Sequence, residues 1–322
     1  MSRFGITIPY DRTPLSEQRE LIEEIAALGY SDVWSAEASA TDGFVPLAMA
    51  TAWVPELRLG TAIVPSFTRG PATLAMCVAT LAEAAPGRFQ FGLGTSSDVI
   101  VERWNGIPFS EPYKRNRDMV RFLKAALAGE KVTEEYDTFN VRGFRLERPP
   151  AVVPPILVAA LRPGMLRLAG RLGDGTIINW LSAEDVKRIV PEVGPGKEVV
   201  ARIYVCPTED AAAVRSAAKM LIAAYLNVEV YALFQEWLGR GPQLQAMWGL
   251  WRAGDRKGAV AAVPDSVVDE LVVHGTPDEC RSHIERYVAN GVTVPVLMPL
   301  PFGVSSRDAV RLLAPSAVST PA

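Results

Sequence analysis

The chain has 322 residues, 49% hydrophobic and 21% charged, which is enough apolar material for a large buried core and too much for a disordered chain. Lysine and arginine number 33 against 36 aspartates and glutamates, a net charge of −3, so no global basic field exists to hold nucleic acid or anionic lipid. Cys77, Cys206 and Cys280 are far apart, no CxxC occurs and there are two histidines, which argues against a disulfide framework and a Cys/His zinc site.

Residues 4–8 read as the first strand, directly after an N-terminus with no apolar signal core. A helix is expected from about Ser16, with Leu21, Ile22, Ile25 and Leu28 at helical spacing and Gly29 as its stop. Residues 32–35 are the second strand, 44–53 a helix and 57–64 the third strand. A helix over 71–85 carries Pro71 in its first turn, where no N–H is needed. Residues 88–93 are the fourth strand. The second half repeats the alternation: strands at 155–160, 175–179, 199–205 and 293–298, helices at 165–172, 183–190, 210–226, 277–289 and 306–313.

Strands that alternate with helices imply crossovers and a parallel sheet. Eight such units favour a TIM-type (β/α)8 barrel, with an open doubly wound sheet as the other candidate. We read residues 1–322 as one barrel domain with insertions at about 128–154 and 227–264. In the first, 139–146 alternates like a hairpin with Gly143 in the turn region. In the second, Leu244, Met247, Trp248 and Trp251 mark an amphipathic helix over the barrel mouth or in a subunit contact. Residues 315–322 are expected to fray. No apolar run is long enough to span a bilayer. The expected setting is cytoplasmic, with a small-molecule substrate and no nucleic-acid or membrane partner; apolar helices on the barrel rim suit a homodimer, without placing its interface.

A barrel places its chemistry at the carboxyl ends of the strands. After strand two stand Glu37, a candidate acid or base, and Asp42, which also suits a helix cap. After strand three, 60–71 alone reads as a buried strand and turn. After strand four comes Gly92-Leu93-Gly94-Thr95-Ser96-Ser97. Ser97 occupies the third glycine position of a dinucleotide fingerprint, so close approach of backbone to a planar ring is the better use of Gly94. After strand five, Ala160-Leu161-Arg162-Pro163-Gly164-Met165 opens a helix; free N–H groups and an adjacent arginine make an anion site. Trp180 after strand six packs on a ring or caps the core. The basic segment 114–124 reads as a solvated helix face. His274 and His283 lack a nucleophile at a G-x-S-x-G elbow.

Several short segments, taken in order, resemble the luciferase-like monooxygenase superfamily, and within it the branch that uses the deazaflavin coenzyme F420. They are 33–37 with Asp42 and Phe44, 57–64, 68–72, 87–97, 101–106 and 158–170. The resemblance spans about residues 4–313. It implies a TIM-like barrel with a non-prolyl cis peptide at Ala62–Ile63 forming a bulge behind the deazaflavin ring. It implies that Gly94, Thr95 and Ser96 line the ring and that Ala160, Leu161, Arg162, Pro163, Gly164 and Met165 hold the phosphate of the cofactor tail. Several relatives carry Asp-His at the end of strand two. Here the pair is Glu37-Ala38, which excludes a histidine at that position and leaves Glu37 as the first candidate acid. The implied reaction is hydride transfer between the deazaflavin C5 and a small apolar substrate; the excursion 227–264 is expected to form the open wall, where Trp237, Trp248 and Trp251 either meet an apolar substrate or pack in the core. The alternatives are an FMN-dependent monooxygenase on the same fold and a barrel that binds a ligand without turnover.

Overall fold

Eight short segments that are apolar on both faces can be buried only if the sheet they form is covered outside and filled inside, and closure into a cylinder meets both demands. The computed structural model describes residues 3–10 and 13–315; the expected frayed end lies outside them apart from Pro315. In chain order the elements are β1 (Gly5–Thr7), α1 (Arg19–Ala27), β2 (Asp32–Ser35), α2 (Val45–Trp53), β3 (Arg58–Thr61), β4 (Val64–Pro65), α3 (Pro71–Ala84), β5 (Phe89–Gly94), α4 (Pro112–Leu127), β6 (Val132–Glu135) and β7 (Asn140–Phe144). The second half follows with β8 (Ile156–Ala159), α5 (Pro163–Leu172), β9 (Gly175–Asn179), α6 (Val186–Val193), β10 (Glu198–Cys206), α7 (Ala211–Leu226), α8 (Glu229–Leu238), α9 (Gly241–Arg252), α10 (Arg256–Ala261), α11 (Asp265–Leu271), β11 (Val272–His274), α12 (Pro277–Ala289), β12 (Val294–Pro299) and α13 (Ser306–Leu312).

The barrel runs β1-β2-β3-β5-β8-β9-β10-β12 and back to β1, all parallel. These are the eight expected strands, and the closed cylinder replaces the open sheet. Three local readings change. The third strand is two pieces, β3 and β4, because a cis peptide at Ala62–Ile63 interrupts it. The hairpin pairs β6 with β7, and its turn is 136–139, closed by the Tyr136 N–H on the Phe139 carbonyl at 2.9 Å. Gly143 is inside β7 at φ 70°, opposite the register shift, so it serves a bulge and not the turn. The short β11 pairs with the upper end of β10, after β10 has left β9.

Inward-facing positions fill the cylinder in layers. At the N-terminal ends of the strands, Arg3 donates to Asp32, Glu198 and Gln90, and Gln90 donates to Glu198. Asp32 has no exposed surface. Above this polar quartet Trp34, also fully buried, fills the axis. It fits because its neighbours on β1 and β3 are glycines: a Cβ on Gly60 would lie 2.2 Å from the indole, and one on Gly5 2.9 Å. Leu157, Ile177, Val200, Val294 and Val296 complete that layer.

Helices coat the outside. The capping box at Thr276 and Glu279 starts α12, and Asp210 caps α7. The second insertion folds as α8, α9 and α10. The apolar stripe of α9 is covered within the chain: Leu244, Met247 and Trp248 are buried with residues of α7, and the Trp248 Nε1–H donates to the Leu226 carbonyl at 2.8 Å. Among the described residues no single helix is long and apolar enough to cross a membrane.

On α12, burial, helped by the charges of Arg286 and His274, pushes the His283 imidazole down from 6.5 to about 4. The folded chain therefore favours neutral His283, and its contribution is fully present above pH 6.5 and lost as pH falls toward 4. Carboxylates such as Asp269, held down by the Arg215 hydrogen bond, lose their contribution at lower pH still. Urea midpoints should therefore fall between pH 6.5 and pH 4 in the native protein and fall less in His283→Gln; parallel profiles would remove His283 as the cause.

Candidate active site

The Trp34 layer closes the cylinder below, so the open end is the C-terminal mouth. Two unlike arcs line it. The first is made by β3, β5 and β8. The Ala62 N–H donates to the Ser35 carbonyl at 2.6 Å, and the Ile63 carbonyl accepts the Glu37 N–H at 3.0 Å, so both ends of the cis bond are tied to the strand-two segment. Ala62, Ile63 and Ala159 are half-buried and pack on the Trp34 layer. Gly94 faces Ile63: a Cβ there would lie 2.8 Å from Ile63 Cγ1 and 3.1 Å from Ala159 Cβ. Together they make a smooth aliphatic ledge. Beyond it Thr95 and Ser96 are half-exposed, Ser96 at φ 63°, a left-handed conformation that turns the chain across the mouth.

At one end of this ledge α5 begins. Arg162 and Gly164 are exposed, Leu161, Pro163 and Met165 half-buried, and Ala160 buried. Among the described residues no side chain caps the helix, and its first turn holds no acidic residue. A Cβ on Gly164 would meet nothing within 4 Å. The first-turn amides and Arg162 thus face open space, an arrangement that attracts anions.

Glu37 is at the rim with both oxygens engaged. Oε1 accepts from Arg69 Nη1 at 2.6 Å and Thr68 Oγ1 at 3.3 Å; Oε2 accepts from the Gly43 N–H at 3.1 Å. Burial alone would lower the Arg69 guanidinium, but the Glu37 hydrogen bond and charge hold it above its ordinary value. Asp42 accepts the N–H groups of Phe44 and Val45 at 2.7 and 3.0 Å, two residues ahead of the N-cap position of α2, which Phe44 occupies.

The second arc runs across β9, β10, β12 and β1. The register sets Arg202 beside Asn179, and Tyr204 beside Met298. Thr7 continues the row on β1, one step beyond the Ile6–Leu297 pair. Trp180 is left-handed at φ 56° and stacks on Tyr204 with centroids 4.1 Å apart. Tyr231 of α8 reaches this arc through the Asn179 side chain at 3.4 Å. The Gln235 side chain donates to the Trp180 carbonyl at 2.7 Å and accepts from Arg240, which also binds Asp185 and Glu270. This buried network fastens the second insertion to the mouth. Tyr231 is thus an aromatic that the insertion brings there. Trp237 instead packs under Arg188 and Trp248 belongs to the helical core.

Other sequence candidates stand elsewhere. His274 pairs with Asp269 at 3.0 Å at the end of β11. The basic face of α4 is paired with surface acids through Lys114, Arg117, Arg121 and Lys124, while Arg115 turns inward to the Ser66 carbonyl at 3.0 Å. A hollow of about 490 Å3 between Lys124, Pro154 and Asp174 opens at the start of β8 and β9, the end opposite the mouth. Arg202, Tyr204 and Thr7 were missed from sequence. The available signal was a charge inside the apolar run 199–205.

The family model described as luciferase-like monooxygenase matches residues 1–294. A 5,10-methylenetetrahydromethanopterin reductase of Methanolobus tindarius is 28% identical over 88% of this chain and 90% of its own length. A putative coenzyme F420-dependent oxidoreductase of Mycobacterium tuberculosis is 26% identical over 97% of this chain and 98% of its own. Among solved structures, the coenzyme F420-dependent tetrahydromethanopterin reductase of Methanopyrus kandleri superposes with a TM-score of 0.79 at 21% identity, over 98% of this chain and 97% of that one, a likeness of fold.

Proposed function

The chain belongs to the luciferase-like monooxygenase family, and we propose that it is a coenzyme F420-dependent oxidoreductase that moves a hydride between the deazaflavin C5 and a small organic substrate. The observation that carries this reading is the aliphatic ledge of Ala62, Ile63, Gly94 and Ala159 beside the uncapped start of α5. A flat apolar ring suits the ledge. A phosphorylated tail suits the first-turn amides and Arg162, with Ala160, Leu161, Pro163, Gly164 and Met165 around them. Thr95 and Ser96 border the ring.

When bound, the deazaflavin supplies the hydride chemistry itself. The chain's own part is positional. The ledge would set the plane of the ring, and the buried Trp34 layer would keep water from it below. We assign Glu37 to handling the substrate proton, its carboxylate oriented by Arg69, Thr68 and Gly43.

Absorbance titration of the purified protein with F420 and, separately, with FMN tests the cofactor. Saturable binding of F420 and not FMN is expected; the reverse favours the oxygen-activating reading. In Glu37→Gln, turnover with reduced F420 should fall about a hundredfold or more, the usual scale for losing a positioned acid or base, with F420 affinity within about twofold because the Glu37 side chain is no part of the ledge. Full turnover would end the proton role.

A further inference from the structure

We propose that Arg202 receives an oxyanion of the substrate, so that the molecule turned over here carries a carboxylate or phosphate at the end held by the second arc. This deepens the F420 reading and rests on it for the word substrate. Arg202 points into the barrel from the middle of β10, on the same face as Val200 and Tyr204. Among the described residues it has no carboxylate partner, whereas Arg3, Arg69 and Arg240 each hold one or two, and Arg88, Arg115 and Lys197, which also lack one, donate to backbone carbonyls instead. Its contacts are soft ones. Nη2 meets the thioether of Met298 at 3.1 Å, and Cζ lies 5.7 Å from the Tyr204 ring centroid. A thioether is a weak acceptor, and an aromatic face balances only a fraction of a desolvated charge.

Around it, hydrogen-bonding capacity is held back in the same way. Arg202 Nε, Thr7 Oγ1 and Trp180 Nε1 are buried without a partner among the described residues. Thr7 is 5% exposed and Trp180 1%. Buried donors are ordinarily satisfied, and buried charges ordinarily paired. Donors with no acceptor, carried by the strands of this arc from the level of Trp34 upward, fit a ligand that brings the acceptor. The guanidinium fork matches a carboxylate or phosphate, with Asn179 directly beside it on β9. The Trp180–Tyr204 stack beside it suits a flat or apolar body on that ligand.

The test uses the full chain without cofactor and three probes of one shape: benzoate, phenyl phosphate and neutral benzamide. Binding is followed by tryptophan fluorescence and by the melting temperature. At least one of the two anions should bind saturably, at least about tenfold tighter than benzamide, and raise the melting temperature; which of the two is tighter identifies carboxylate or phosphate. Arg202→Met should lose that advantage, and Arg202→Lys should recover part of it. The free Arg202→Met protein should melt no lower than the native one, because it removes an uncompensated charge, and should bind F420 within about twofold. Anions that bind no better than benzamide, or equally well to Arg202→Met, overturn the proposal. So does loss of F420 binding in Arg202→Met with anion binding intact. Arg202-dependent anion binding in a protein that binds no F420 would remove the cofactor reading and leave the receptor standing.

Discussion

Arg3→Met should lower the free energy of unfolding at neutral pH by about 3–5 kcal/mol, the scale on which a buried ion pair fails when one partner is removed. Asp32 has no exposed surface, and Glu198 on the neighbouring side of the barrel keeps only 20% of its side chain in water. Both are held by one guanidinium. Burial works to lower that guanidinium's pKa, and the hydrogen bonds and charges of Asp32 and Glu198 more than reverse it. In Arg3→Met, among the described residues Asp32 keeps only the Ser31 hydroxyl at 2.6 Å, and Glu198 keeps Gln90. Adding Asp32→Asn should recover part of the loss, since a neutral amide there is cheaper to bury than an unpaired carboxylate. Urea unfolding of the single and double variants measures this. A midpoint unmoved by Arg3→Met would mean that the quartet is solvated and does not plug the barrel.

Gly94→Val should have the largest effect on the site. A Cβ alone would stand 2.8–2.9 Å from two carbons of Ile63, closer than real side chains approach, and valine adds two methyl groups. Ile63 must then move off the ledge toward the space assigned to the ring. Overpacking of this kind costs about 1–3 kcal/mol of stability, and F420 affinity should drop by more than about tenfold, some 1.4 kcal/mol. Adding Ile63→Ala removes the clashing group and should restore stability without restoring the ledge. Calorimetry and F420 titration separate the two effects. A folded Gly94→Val with native F420 affinity would place the ring somewhere else.

Much of the fold was legible because burial on both faces leaves a strong mark. Runs such as 156–160 and 294–298 are apolar throughout, and the helices between them carry periodic stripes. The exceptions have physical causes. The three residues of β11 follow α11 with no turn residue between them, so no punctuation separates helix from strand. Gly143 signals a positive φ, which a bulge and a turn both require, and the residue alone does not distinguish them. The break at 62–63 leaves no trace in composition; only the likeness to a family pointed to it. At the site, Glu37 was visible as a carboxylate at a strand end, but its partner Arg69 lies 32 residues away in a segment that reads as a plain turn. Arg202 was hidden for the opposite reason. A single charge in an apolar strand gives no hint of which neighbours the closed register will set around it.

The indole of Trp34, seated between two glycines, turns a cylinder into a cup. Nothing threads such a vessel from floor to rim, so a reactant and its product share one doorway, and the departing molecule must clear it before the next arrives. A short aromatic floor also keeps the cup shallow: the wall proposed for the ring and the wall proposed for the oxyanion face each other across one opening.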